Sequence, residues 1–168
     1  LNGARELTIA YETSPDADAL QWLTAQQTAS GKRFLFSQGQ AILTRTWAPT
    51  QDSPGIRQTY DVRLVVPEGL TAVMSAEMLT PNGEPTEGGR AFRFRMRNPV
   101  PIYLMSIAVG DLVLGAVGPR PGVWTEPSVL ERGLYECADM EAMVRTAEAL
   151  YGPYRWGRYD VLILPPSF

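Results

Sequence analysis

Two glutamines separated by one glycine, Gln38-Gly39-Gln40, stand at the end of the run "FLFSQGQAIL". Successive side chains of an extended strand point to opposite faces, so an extended reading puts Phe34, Phe36, Gln38 and Gln40 on one face. The two amides then lie roughly 7 Å apart. A primary amide carries both a donor and an acceptor: its carbonyl can hold an ammonium group and its NH₂ a peptide carbonyl. Gly39 removes a side chain between them and lets other backbone approach closely, or marks a bulge. The opposing reading is a wet strand edge whose amides meet only water.

Other chemistry is scarce. The chain contains no histidine, which removes Ser-His-Asp and Cys-His nucleophiles together with the commonest zinc ligand. A single cysteine, Cys137, cannot supply a metal site or an intrachain disulfide; it reads as a small buried hydrophobe in a reducing, cytoplasmic setting. Arg90, Arg93, Arg95 and Arg97 could form an anion-binding stripe, but an outer, solvated strand face is the simpler reading. Asp139, Glu141 and Glu148 read as the solvent side of a helix. Asp52 reads as an Asx-type turn ahead of Pro54. Tyr154, Trp156 and Tyr159 suggest aromatic packing. Carboxylates, amides, tyrosines and backbone remain, a poor set for catalysis by this chain alone.

The elements that must position these residues fall into two parts. The 168 residues, 45% hydrophobic and 20% charged with a net charge of -3, suit one domain and part of a second. The charge gives no nucleic-acid footprint, and no apolar run reaches the 18 or so residues of a membrane-spanning helix. Through about residue 117 the apolar period is two. Leu7, Ile9 and Tyr11 alternate, as do Tyr60, Val62, Leu64 and Val66, and "LTAVMSAEML" continues the extended pattern. In "AFRFRMRN", Phe92, Phe94 and Met96 oppose Arg93, Arg95 and Arg97, a half-buried antiparallel strand. "PIYLMSIAVGDLVLGAVG" gives one long strand or two, bent at Gly110-Asp111. After the connector at Pro119, Pro121 and Gly122, the spacing of Met140, Met143, Val144, Ala147, Leu150 and Tyr151 predicts an amphipathic helix. Gly152-Pro153 stops it. "YDVLILPP" predicts a strand buried on both faces. The start at "LNGARELTIAYETSP" and the stop after an apolar run suggest a piece of a longer protein.

The ordered blocks "YETSPDADALQWLTAQQT", "FLFSQGQAILTRTWAPTQDSPGIRQTYDVRLVVPEGLTAVMSA", "GPRPGVWTEP" and "GPYRWGRYDVLILPPSF" resemble the N-terminal part of the leukotriene A4 hydrolase-type aminopeptidases, a branch of the aminopeptidase N-like zinc metallopeptidases. The resemblance covers almost the whole chain. It implies a mainly β fold: a saddle-like antiparallel β-sandwich domain over 1–118, then the first helix and strand of a truncated thermolysin-like α/β catalytic domain over 119–168. It implies a zinc-dependent aminopeptidase as the parent, acting on peptides, with the zinc motifs beyond Phe168 and no metal bound by this piece. By residue match, Gln40 contributes to recognising the free α-amino group, Gln38 lines the same cavity, and Ala41 is a small wall residue beside them. The partners implied are the peptide substrate and the remaining domains of the same chain. Gly39, Thr44, Thr46 and the "WAPT" turn depart from the vertebrate hydrolase pattern, which leaves the peptidase expectation intact and puts epoxide hydrolysis in doubt. The rival reading is a non-catalytic β-sandwich scaffold that binds peptide or protein.

Overall fold

Alternation in sequence becomes layering in space. The computed structural model describes residue 3 and residues 5–166. Its longest strands are β3 (Arg57–Val66) and β7 (Gly89–Pro101), which pair antiparallel. Phe92 and Phe94 point inward from β7, 2% and 1% exposed. On the outer face Arg93 pairs with Glu84, Arg95 with Asp61 and Arg97 with Glu77. These arginines are thus an outer strand face with paired charges, as the alternation predicts. β5 (Glu77–Met78) and β6 (Glu84–Thr86) also pair with β7, and β3 and β5 flank it in a four-stranded sheet.

A second sheet runs β1 (Leu20–Leu23), β2 (Phe34–Ser37), β8 (Ile107–Gly110), β4 (Thr71–Met74), all antiparallel. The third runs β11 (Tyr159–Leu162), β10 (Pro121–Thr125), β9 (Val113–Ala116), with β10 parallel to β11 and antiparallel to β9. The second sheet lies between the other two. Leu35, Ala72, Met74 and Ile107 pack with Val66, Phe92 and Phe94 in one core. Phe34, Phe36 and Ala108, one residue out of phase, pack with Leu112 and Trp124 in another. The period of two in β2 therefore serves two cores at once.

Two α-helices follow β10. α1 (Leu130–Glu136) lays Leu130 and Leu134 over Gly115 of β9; its seven residues are too short to show a helical stripe in sequence. α2 (Met140–Tyr151) has the predicted bounds, and Gly152, at φ 93°, ends it in a conformation that side chains resist. Only Met140 and Val144 of its stripe are buried; Met143, Leu150 and Tyr151 are exposed. Glu141 and Glu148 turn instead toward Arg120, each 2.7 Å from its guanidinium, while Arg145 also pairs with Glu141. They are a staple between α2 and the β9–β10 turn, not a solvent face. Hydrogen bonds from Arg120 hold both carboxyls below the usual carboxylate range, and the same bonds raise the arginine.

Four further expectations need correction. Leu7, Ile9 and Tyr11 form no strand: their segment finds no partner among the described residues, and all three side chains stay exposed. β11 is an edge strand with Tyr159 and Asp160 exposed, and the strand buried on both faces is β10. Cys137 is half-buried, since it caps α1 at the surface rather than entering a core. The "LTAVMSAEML" run breaks at Ser75-Ala76 into β4 and β5, which join different sheets. "PIYLMSIAVGDLVLGAVG" opens with a 3-10 turn (Ile102–Leu104) and divides into β8 and β9 around Asp111-Leu112.

Candidate functional site

β2 ends at Ser37, so the alternation that would place Gln38 and Gln40 beside the phenylalanines stops short of them. The ladder is closed off locally. The Ser37 hydroxyl accepts from the Ile107 N–H at 2.9 Å, and the Gln38 N–H donates to the Ala19 carbonyl at 2.8 Å. The reason for the exit is Gly39. A Cβ there would stand 2.7 Å from both the Tyr103 carbonyl oxygen and the Thr44 hydroxyl. Such contacts leave no room for a side chain, so Gly39 fixes a close backbone crossing rather than a strand position.

From that crossing the chain makes a tight turn. The Leu43 N–H donates to the Gly39 carbonyl at 2.9 Å, and a 3-10 turn follows over Thr44–Thr46. Fully buried Thr44 donates to the Ile102 carbonyl at 3.3 Å. The Thr46 hydroxyl donates to the Leu43 carbonyl at 2.6 Å and accepts from the Ala19 N–H at 3.2 Å. Asp52 braces the far side: its Oδ2 accepts from the Arg45 N–H at 2.9 Å, and the Arg45 guanidinium donates to the Asp52 carbonyl. Asp52 therefore does not form an Asx turn before Pro54, because the unpaired N–H of the 3-10 turn claims its carboxylate.

What this frame presents is small and neutral. Gln38, Gln40, Ala41 and Ile42 are exposed. The Gln38 side-chain carbonyl accepts from the Gln40 N–H at 3.1 Å. The Gln40 side-chain amide has no hydrogen-bond partner among the described residues. The structure thus brings the three predicted site residues together on one braced loop. Such a loop can donate and accept hydrogen bonds, but it holds no nucleophile, base or charge. These three residues line neither of two surface clefts. The larger, about 1050 Å³, lies among Met78, Phe94, Met96, Leu104, Trp156 and Tyr159. The other, about 710 Å³, includes Glu68, Arg90, Asp111 and Trp124.

No group of three or more His, Cys, Asp or Glu side chains that could hold a metal exists among the described residues. A zinc ion therefore finds no ligand set among the described residues. No helix among the described residues is long and apolar enough to cross a membrane.

The sequence reading misses Glu126. This carboxylate, 2% exposed, accepts from the Ala29 and Ser30 N–H groups, both at 2.9 Å. It ties the β1–β2 connection to the end of β10. A lone acid directly after the apolar run "GVWT" is the only trace of it in sequence.

Comparison with known proteins agrees with this architecture. The peptidase M1 N-terminal domain description matches residues 2–104. Aminopeptidase B of Mus musculus is 42% identical over 165 residues, spanning 97% of this chain and 24% of its own length. Leukotriene A-4 hydrolase of Xenopus laevis is 47% identical over 159 residues, spanning 93% of this chain and 26% of its own. Yeast LTA4 hydrolase in complex with bestatin superposes with a TM-score of 0.84 at 37% identity, over 93% of this chain and 24% of that one. The M1 zinc metallopeptidase of Deinococcus radiodurans, at 24% identity and a TM-score of 0.68, shares the fold. The chain thus spans about a quarter of the length of the relatives it matches. With three antiparallel-rich sheets, a mainly β core and this match over most of its length, the chain belongs to the peptidase M1 N-terminal domain family.

Proposed function

We propose that this chain is the N-terminal β-domain, with the opening elements of a catalytic domain, of a zinc-dependent aminopeptidase, and that its 38–41 loop forms one wall of the substrate cleft. Residues 1–118 form the β-domain and 119–168 begin the next. Its relatives include enzymes named as aminopeptidases, and the M1 neighbour is a zinc metallopeptidase. In this reading the metal and its chemistry belong to other parts of the parent, in keeping with the lack of a metal-holding side-chain group among the described residues, and the chain alone is expected to be silent.

The observation that carries the reading is the state of Gln40. Its backbone is held on a loop braced by Gly39, Thr44 and Thr46, while its side-chain amide is exposed and has no partner among the described residues. An amide carbonyl can accept from a substrate ammonium group without a counter-charge of its own. Gln40 takes that role, Gln38 lines the same wall, and Ala41 keeps the wall low beside them.

The test is hydrolysis of amino-acid anilides by the full-length parent, its Gln40→Ala variant and the 168-residue chain. Losing a hydrogen bond to a charged group lowers kcat/KM by about 10- to 100-fold. A silent chain, an active parent and a weakened variant are expected. An active parent indifferent to Gln40→Ala would remove the amide from the site, and a silent zinc-supplied parent would favour a binding scaffold.

A further inference from the structure

Gln38 and Gln40 are the same residue type on the same loop, yet their amides are in different states. The Gln38 Oε1 faces back into the loop and takes the Gln40 N–H at 3.1 Å. An N–H group needs an acceptor, so the opposite setting of the Gln38 amide would aim donor at donor; chemistry fixes its orientation. The Gln40 side-chain amide has no partner among the described residues.

From this asymmetry we infer that Gln38 is a positioning residue that acts through Gln40. The inference rests on the reading of Gln40 as the amine-holding group. Gln38 is itself fixed, since its N–H is bonded to the Ala19 carbonyl at the end of β2. Gly39 between the two glutamines is wedged against the Tyr103 carbonyl and Thr44. The ring closed by the Gln38 carbonyl and the Gln40 N–H therefore spans from an immobile strand end to the residue that must be aimed. It sets the direction in which the Gln40 side chain leaves the backbone. The Gln40 N–H occupies one lone pair of the Gln38 carbonyl oxygen and the other end of that amide is an NH₂ donor, so Gln38 offers an ammonium ion one remaining lone pair where Gln40 offers a wholly unengaged carbonyl. The two glutamines therefore divide the work: one holds the loop and the other meets the amine.

The test is a double-mutant cycle on kcat/KM in the full-length parent with Gln38→Met, Gln40→Ala and both together, and thermal midpoints confirm that each is folded. Gln38→Met alone lowers kcat/KM by about 3- to 10-fold, the size of one hydrogen bond, with the loss in KM rather than kcat. In the Gln40→Ala background the same change costs less than about 2-fold, because nothing is left to aim. Gln38→Glu, which keeps an acceptor for the Gln40 N–H, retains more activity than Gln38→Met. An undiminished loss in the Gln40→Ala background would make Gln38 an independent contact and overturn the inference, as would a Gln38→Met variant with unchanged kinetics. In either case a damaged Gln40→Ala variant leaves the proposed function standing. Indifference to Gln40→Ala overturns both.

Discussion

Replacing Glu126 with glutamine tests whether one buried carboxylate holds the second and third sheets in their relative positions. Its two oxygens each receive a backbone N–H at 2.9 Å, from Ala29 and from Ser30. Hydrogen bonds to charged groups contribute about 1.5–3 kcal/mol each. Glutamine keeps one carbonyl for one N–H and turns its NH₂ against the other, so about one such bond is lost. Relief of the carboxylate's desolvation offsets part of that, leaving a cost of about 2 kcal/mol. For a chain of this size that lowers the thermal midpoint by about 4–8 °C. Glu126→Ala strands both N–H groups and costs more, about 3–5 kcal/mol. Calorimetry reads the midpoint, and amide hydrogen exchange at Ala29 and Ser30 reads the clamp. A Glu126→Gln midpoint within about 1 °C of the parent chain, with both amides still protected, would refute the reasoning.

Two more expectations follow from the same framework. Gly39→Ala pushes a methyl group onto the Tyr103 carbonyl and the Thr44 hydroxyl, each 2.7 Å away, and overpacking of that kind costs about 1–3 kcal/mol by denaturant titration; an unchanged midpoint would mean that the crossing is slack. The staple of Arg120 with Glu141 and Glu148 gives stability a definite pH dependence. Both carboxyls lie below their ordinary value of 4.5 when folded, so their contribution is complete above that value and is lost as pH falls through the lowered folded values. Arg120→Met should therefore soften the acid limb of stability measured between pH 2 and pH 6 while leaving its shape between pH 6 and pH 8 unchanged.

How much of this was legible in the sequence depended on the distance over which each residue's environment is set. β3 and β7 could be read because alternation is local: Phe92 and Phe94 turn inward and Arg93 and Arg95 outward whatever their partners. α2 and its Gly152 stop were equally local. The end of β2 was not, because Gly39 leaves the strand on account of Tyr103, which belongs to a distant turn. Glu141 and Glu148 look like solvent-facing acids until Arg120 is brought across them. α1 is too short to display a period, and its Gly133 weakens the helical signal further. At the candidate site, amide chemistry and the need for a small residue at position 39 were visible beforehand. The difference between an occupied Gln38 and an unpartnered Gln40 emerges only from the folded loop.

The strand order β1-β2-β8-β4 also governs when the loop can take shape during synthesis. The bond between Ser37 and the Ile107 N–H spans 70 residues, and translation at 5–20 residues per second covers that distance in about 4–14 s. Through that interval β2 has no β8 to pair with, and Phe34 and Phe36 lack Ala108, Leu112 and Trp124 to cover them. An aromatic strand with an open edge is a template for aggregation, so the nascent chain needs shielding during this window. The Gln40 loop is set only when Tyr103 arrives to seat Gly39. Slowing the ribosome between residues 40 and 110 should therefore lower the soluble yield even though the finished fold is unchanged.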